Sequence, residues 1–214
     1  RGDIPASVRL IAAGSPTACS GKANAIAAGM EAASHDHIVW TDDDFTHPPD
    51  WLDTLHRDYE RDGPTTELPI FVGRDPLAVL LEPIYALGGT LGTYLGDHAW
   101  GGAVIFHRDD LDVDAFLSDL RRTISDDGLL GEHLSITPVR RGRRVPIGGT
   151  VRQTIERHVR FNQIFTTHDP VAATIAAGLL LIVLTGCVTD PVLGVVVTAL
   201  VAGVYALFGI RRLS

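Results

Sequence analysis

Three consecutive carboxylates, Asp42-Asp43-Asp44, end the apolar run His37-Ile38-Val39-Trp40-Thr41. The run is β-branched and aromatic, too short for a stable helix, and followed by Pro48-Pro49, so it reads as a buried strand. Side chains two apart on an extended segment point the same way, so Asp42 and Asp44 can converge while Asp43 points elsewhere. Two convergent carboxylates need a shared proton or a cation, and a hard divalent ion such as Mg²⁺ or Mn²⁺ suits them. The plainer alternative is a solvated acidic turn. With 20 Asp in 214 residues a triplet is weak evidence on composition alone. Its place at a strand end is the better argument, because ligands of open α/β sheets gather outside the carboxyl ends of strands.

Other residues have matching chemistry. Ser125-Asp126-Asp127-Gly128 sets a second carboxylate pair ahead of an apolar helical start, where helix capping competes with proton transfer as its purpose. A helix N-terminus is expected to depress the Asp127 pKa and keep the group ionised. Lys22 opens a predicted helix, placing a cation beside free backbone N–H groups that an anion can use. Arg157 and Arg160 stand at i, i+3 on one helix face. Their forks suit a diphosphate, against the alternative of a solvated basic face.

Composition narrows the partners. The net charge is -8, with one Lys against 17 Arg, a balance resembling that of proteins soluble in high salt. Such acidity argues against a nucleic-acid partner, which needs a basic face. The one dense basic cluster, Arg140-Arg141-Gly142-Arg143-Arg144, reads as a helix end, a Gly turn and a strand start. Cys19 and Cys187 give neither a disulfide framework nor a metal-ligand spacing.

The elements that must position these groups follow in order. Residues 7–11 read as a strand, and the chain enters as if at least one strand preceded it. A turn-rich run from 12 to 21 leads to a helix from Lys22 to Ala33. After the acidic strand end, Asp50 or a neighbour caps a helix running to about Arg61, residues 64–68 form a loop, and 69–73 a short strand. The apolar stretch Leu77–Leu95 is a core helix or a segment lying on a membrane face. Gly101-Gly102 enters a buried strand through Phe106, its glycines allowing a tight bend or a close backbone approach to a ligand. A helix over about 113–122 follows. Last come two uncharged apolar runs, 171–188 and 192–210, joined by Thr189-Asp190-Pro191. Each is close to the roughly 20 residues that cross a bilayer. Basic residues at both outer ends place those ends, and the domain before them, on the cytoplasmic side of a cell membrane.

In this order the pieces resemble membrane-bound family 2 glycosyltransferases of the GT-A fold, and ceramide glucosyltransferase-type enzymes in particular. The likeness is carried by Gly21-Lys22-Ala23-Asn24, Asp42-Asp43-Asp44 with Pro49-Asp50-Trp51-Leu52, Gly101-Gly102 through His107-Arg108, Asp126-Asp127, and Arg157-His158-Val159-Arg160-Phe161. Phe161 replaces the usual Trp, and Gly128 stands where an aromatic often follows the base. The resemblance implies an α/β fold with a GT-A mixed sheet over 1–165, lacking its first nucleotide-binding strand, and a membrane hairpin over 166–214. It implies inverting transfer of a hexose from a nucleotide sugar, a UDP-sugar by analogy, to a lipid acceptor. Asp127 would be the base, Asp42 and Asp44 the Mg²⁺ or Mn²⁺ ligands, and Lys22, Asn24, Asp42, Arg157 and Arg160 the donor-binding residues. Alternatives are a polyprenyl-phosphate sugar synthase, a processive polysaccharide synthase, or a non-catalytic membrane binding module.

Overall fold

The computed structural model describes residues 8–43, 46–73, 89–90, 92–95, 99–148, 150–168 and 170–211. Its centre is a four-stranded mixed sheet in the order β1-β3-β2-β4, formed by β1 (His37–Thr41), β2 (Thr65–Gly73), β3 (Ala103–His107) and β4 (Thr137–Ile147). The β3 strand runs antiparallel to both β1 and β2, and β2 runs parallel to β4. Five residues of β1 face five of β3, from His37 opposite His107 to Thr41 opposite Ala103.

Alternation along the strands supplies two cores. On one side Ile38, Trp40, Val104 and Phe106 meet Ala23, Ala27 and Met30 of α1 (Gly21–Ala32) and Phe116 and Leu120 of α3 (Val113–Leu120). Leu129 and Leu130 of α4 (Asp126–His133) complete that cluster. On the other side Ala103 and Ile105 meet Trp51 and Leu55 of α2 (Trp51–Asp62). Neighbours in sequence thus serve opposite faces, as the period of two requires. Phe106 and Phe116 are wholly buried, and each contributes on the order of 1.5–3 kcal/mol through area removed from water.

Several elements differ from the sequence-based expectations. Residues 8–11 are not in a strand, and Leu10 is 88 % exposed. An apolar extended run becomes a strand only where a neighbour offers a ladder, and this one pairs with none among the described residues. The expected loop at 64–68 is the buried first half of β2, and the expected turn at 140–144 lies inside β4. One fact explains both errors. Glu67, a charge inside β2, is met by Arg141 and Arg143 on the neighbouring strand β4, so both segments can be strand. A register shift between Thr66 and Leu68, where Thr66 faces Pro138 and Leu68 faces Gly142, absorbs the extra β4 residues. Asp50 sits at the N-cap of α2 without a side-chain cap bond. Most of the Leu77–Leu95 stretch lies outside the described residues.

The chain continues into α5 (Val151–His168), α6 (Pro170–Thr189) and α7 (Pro191–Ile210). The expected hairpin turn forms at Asp190, whose carboxylate accepts from the Val192 and Leu193 amides, both at 3.1 Å, and so caps α7. Some positions inside α6 and α7 lie outside the described side chains. Counted over the described residues, no helix is long and apolar enough to cross a membrane.

Candidate active site

Four chemically active side chains meet at the carboxyl end of β1. Lys22 is the second residue of α1, a helix that Ser20 opens by accepting the Ala23 amide at 3.1 Å. Asp42 follows β1 directly, its amide donating to the Gly102 carbonyl at 3.4 Å. Asp126 and Asp127 form the first turn of α4, and Ser125 is that helix's cap, accepting from Gly128 N–H at 3.2 Å. Capping therefore does not occupy either carboxylate, which removes the plain explanation of the Asp126-Asp127 pair.

Lys22 Nζ lies 2.9 Å from Asp42 Oδ1 and 2.9 Å from Asp126 Oδ2, bridging the strand end to α4. The contact to Asp126 is an ion pair without hydrogen-bond geometry. Asp127 is tied differently. Its Oδ1 accepts the Gly101 amide at 2.8 Å. A Cβ on Gly101 would collide with Asp127 Oδ1 and stand 2.6 Å from Asp126 Oδ2, so only glycine admits both carboxylates this close to the backbone. At Gly101 the close approach is thus made by two side chains of the protein itself rather than by a ligand, while the space beside Gly102 is filled by the Trp100 ring.

Electrostatics follow from three carboxylates sharing one ammonium. Burial acts to lower the Lys22 pKa but is outweighed by Asp127, Asp126 and Asp42, which hold it above its ordinary value. Burial first, then Asp126 beside it, push the Asp127 carboxyl up to about 8, a value belonging to the interacting group. Lys22 and the Gly101 amide act in the opposite direction and are outweighed. The expected depression at a helix N-terminus is thus overturned, because desolvation and a like charge exceed the helix field. A carboxyl that titrates near neutral pH suits proton transfer.

A second group of residues holds the loop that leaves β1. Thr41 Oγ1 and His47 Nε2 are 2.5 Å apart, joining the two ends of the acidic segment. His47 stacks on Trp51 at 3.5 Å between ring centroids, and the Arg143 guanidinium lies 6.0 Å from the Trp51 ring. Trp51 Nε1 donates to Glu67, a fully buried carboxylate that also receives Arg141 Nε and both Nε and Nη2 of Arg143 at 2.8 Å. Arg141 reaches on to Asp58 at 2.6 Å. Neither Glu67 nor His47 stood out in the sequence. The only available signal was a lone Glu opposite an Arg-rich segment, and it needed the strand pairing to be read.

The remaining expected site residues are placed as follows. Asp44 lies outside the described residues. Asn24 is buried, donating to the Ala13 carbonyl at 2.9 Å and the Gly14 carbonyl at 3.2 Å, and accepting from Arg121 at 2.6 Å. Arg157 of α5 is half-buried and donates to the Gly148 carbonyl at 3.4 Å, while Arg160 is exposed. The structure brings Lys22, Asp42, Asp126 and Asp127 together.

No curated protein and no solved structure matches the chain. Residues 17–96 match the family model described as Glycosyl transferase family 2. The matched stretch contains Lys22, Asn24 and the acidic strand end, whereas Gly101, Asp126, Asp127, Arg157 and Arg160 lie beyond it. The match supports a family 2 glycosyltransferase, a class that draws on nucleotide-sugar donors.

Proposed function

We propose that the protein is an inverting glycosyltransferase that moves a hexose from a nucleotide sugar to a lipid hydroxyl at a membrane, in the manner of ceramide glucosyltransferase-type enzymes. The observation that carries this reading is the convergence of Lys22, Asp42, Asp126 and Asp127 at one strand end, with Asp127 held against Gly101. The acceptor oxygen attacks the anomeric carbon, its proton passes to the Asp127 carboxylate, and the sugar–phosphate bond breaks with its electron pair leaving on the nucleoside diphosphate. Lys22 would meet that developing negative charge, and Arg157 and Arg160 would reach the diphosphate from α5.

A donor set made only of carboxylate oxygens, in excess over the one ammonium they share, fits a hard divalent ion such as Mg²⁺ or Mn²⁺. Asp42 would hold it together with Asp44. When bound, such an ion offsets charge on the leaving phosphates.

The lipid part of the reading rests on α6 and α7. Asp190 is the only charged residue from Pro170 to Ile210, and Val171, Leu181, Val192, Val195 and Leu207 are all more than 60 % exposed. So much apolar surface without protein cover calls for an apolar partner, and lipid around a multi-pass hairpin in the cell membrane meets it, with the catalytic domain cytoplasmic.

The test is transfer of radiolabel from UDP-sugars or GDP-sugars into an organic-extractable fraction by membranes bearing the protein with Mg²⁺ or Mn²⁺. Label in lipid that falls at least 10²-fold in Asp127→Asn supports the assignment. Label that appears only in water-soluble product, or that is unchanged in Asp127→Asn, overturns it.

A further inference from the structure

At the opposite end of β1 from the acidic group, imidazoles gather where the mechanism uses none. His37 begins β1, and Asp42 lies just beyond its end, roughly 16 Å away at about 3.3 Å per residue. His56 and Glu60 stand at i, i+4 on α2 with His56 Nε2 3.8 Å from Glu60 Oε1. A ligand atom from each of His37, His56 and Glu60 lies within 4.8 Å of the other two. The His37 ring is 5.0 Å from that of His56 and 4.9 Å from that of His107, its direct partner in the β1–β3 ladder. His37 Nε2 is sealed from solvent and has no hydrogen-bond partner. A buried ring nitrogen left unpaired is costly, and native structures rarely keep one without a reason.

We propose that His37, His56 and Glu60 form a binding site for a borderline transition-metal ion, zinc by ligand chemistry, separate from the carboxylate group at the other end of the strand. Two imidazoles and one carboxylate are a zinc ligand set, whereas magnesium and calcium prefer oxygen alone. Ligand atoms on a tetrahedral zinc stand about 3.3 Å apart, so side-chain rotation within the present separations closes the set. His56 and Glu60 are exposed on α2 and free to make that adjustment. Among the described residues no fourth protein ligand joins the set, which leaves that position to water. Bound there, the ion clamps α2 to the start of β1, and α2 carries Trp51, on which His47 stacks.

The test is calorimetric titration of the full 214-residue chain with Zn²⁺ in excess Mg²⁺, which occupies hard carboxylate sites. One zinc per chain is expected, weakened at least tenfold in His56→Ala and in Glu60→Gln, both surface changes that leave the fold intact by circular dichroism. Asp42→Asn should bind zinc as the parent chain does. Thermal unfolding adds a second reading: zinc should raise the midpoint of the parent and leave that of His56→Ala unmoved. Zinc uptake unchanged in both His56→Ala and Glu60→Gln, or lost in Asp42→Asn, overturns the site.

Discussion

The Gly101 amide donates to Asp127 Oδ1 at 2.8 Å, and a side chain at Gly101 would occupy the space that same oxygen fills. A backbone donor therefore orients the candidate base, and the missing Cβ is what lets it. Gly101→Ala should displace both Asp127 and Asp126, lowering turnover at least 10²-fold while costing about 1–3 kcal/mol of stability from the overpacked contact. Steady-state kinetics beside urea unfolding check this; turnover that tracks the parent would mean Asp127 needs no such orientation.

Asp127 should also leave its mark on pH dependence. Its folded pKa, pushed up to about 8, exceeds the ordinary 3.8, so the folded chain holds an extra proton between those values. Stability contributed by the group is therefore lost as pH rises through that window. Asp127→Asn abolishes this decline, and its urea midpoint should fall less than that of the parent between pH 5 and 8. Parallel pH curves would contradict the shift.

The two neighbouring carboxylates should separate by function. Asp127→Asn is expected to lose about 10²–10⁴ in turnover, the usual worth of a positioned base. Asp126→Asn removes a like charge beside Asp127 and one of the partners of Lys22. Its rise of kcat/KM with pH should move to lower pH, with a smaller loss at the plateau. The reverse ranking of the two variants would exchange their assignments.

Glu67 tests the buried ionic group that joins β2, β4 and α2. Glu67→Gln leaves Arg141 and Arg143, only 23 % and 11 % exposed, without the carboxylate both address. Removing one member of a buried pair costs on the order of 3–5 kcal/mol, so denaturant unfolding should move far more than for an exposed change such as Arg152→Ala. A shift below about 1 kcal/mol would reduce the group to a solvated one.

For the helical hairpin, single cysteines at Asp190 and at Ser214, in a background lacking Cys19 and Cys187, should label from opposite faces of sealed vesicles. Labelling of both from one face would rule out a spanning hairpin.

The sequence by itself determined most of the local elements. The run from His37 to Thr41, the helix after Lys22, the strand after Gly101-Gly102 and the turn at Asp190 are set by periodicity and turn chemistry, which act over a few residues. Charge and spacing likewise marked Lys22, Asp42 and the Asp126-Asp127 pair as candidates, whereas the choice of Asp127 within that pair came from the family resemblance. Tertiary structure decided what distant residues do to one another. Glu67 becomes a strand residue only when β4 sets Arg141 and Arg143 against it, since a buried charge is tolerable only with its partners in place. The rise in the Asp127 pKa needs Asp126, burial and the approach of Gly101 at once, and a local helix-terminus argument points the wrong way. Asn24 was read as facing a ligand and instead ties Ala13, Gly14 and Arg121 together, because a buried amide takes the nearest carbonyls and donors offered to it. Spacing along the chain names candidate chemistry, but desolvation and pairing depend on the three-dimensional neighbourhood, and only the fold supplies that.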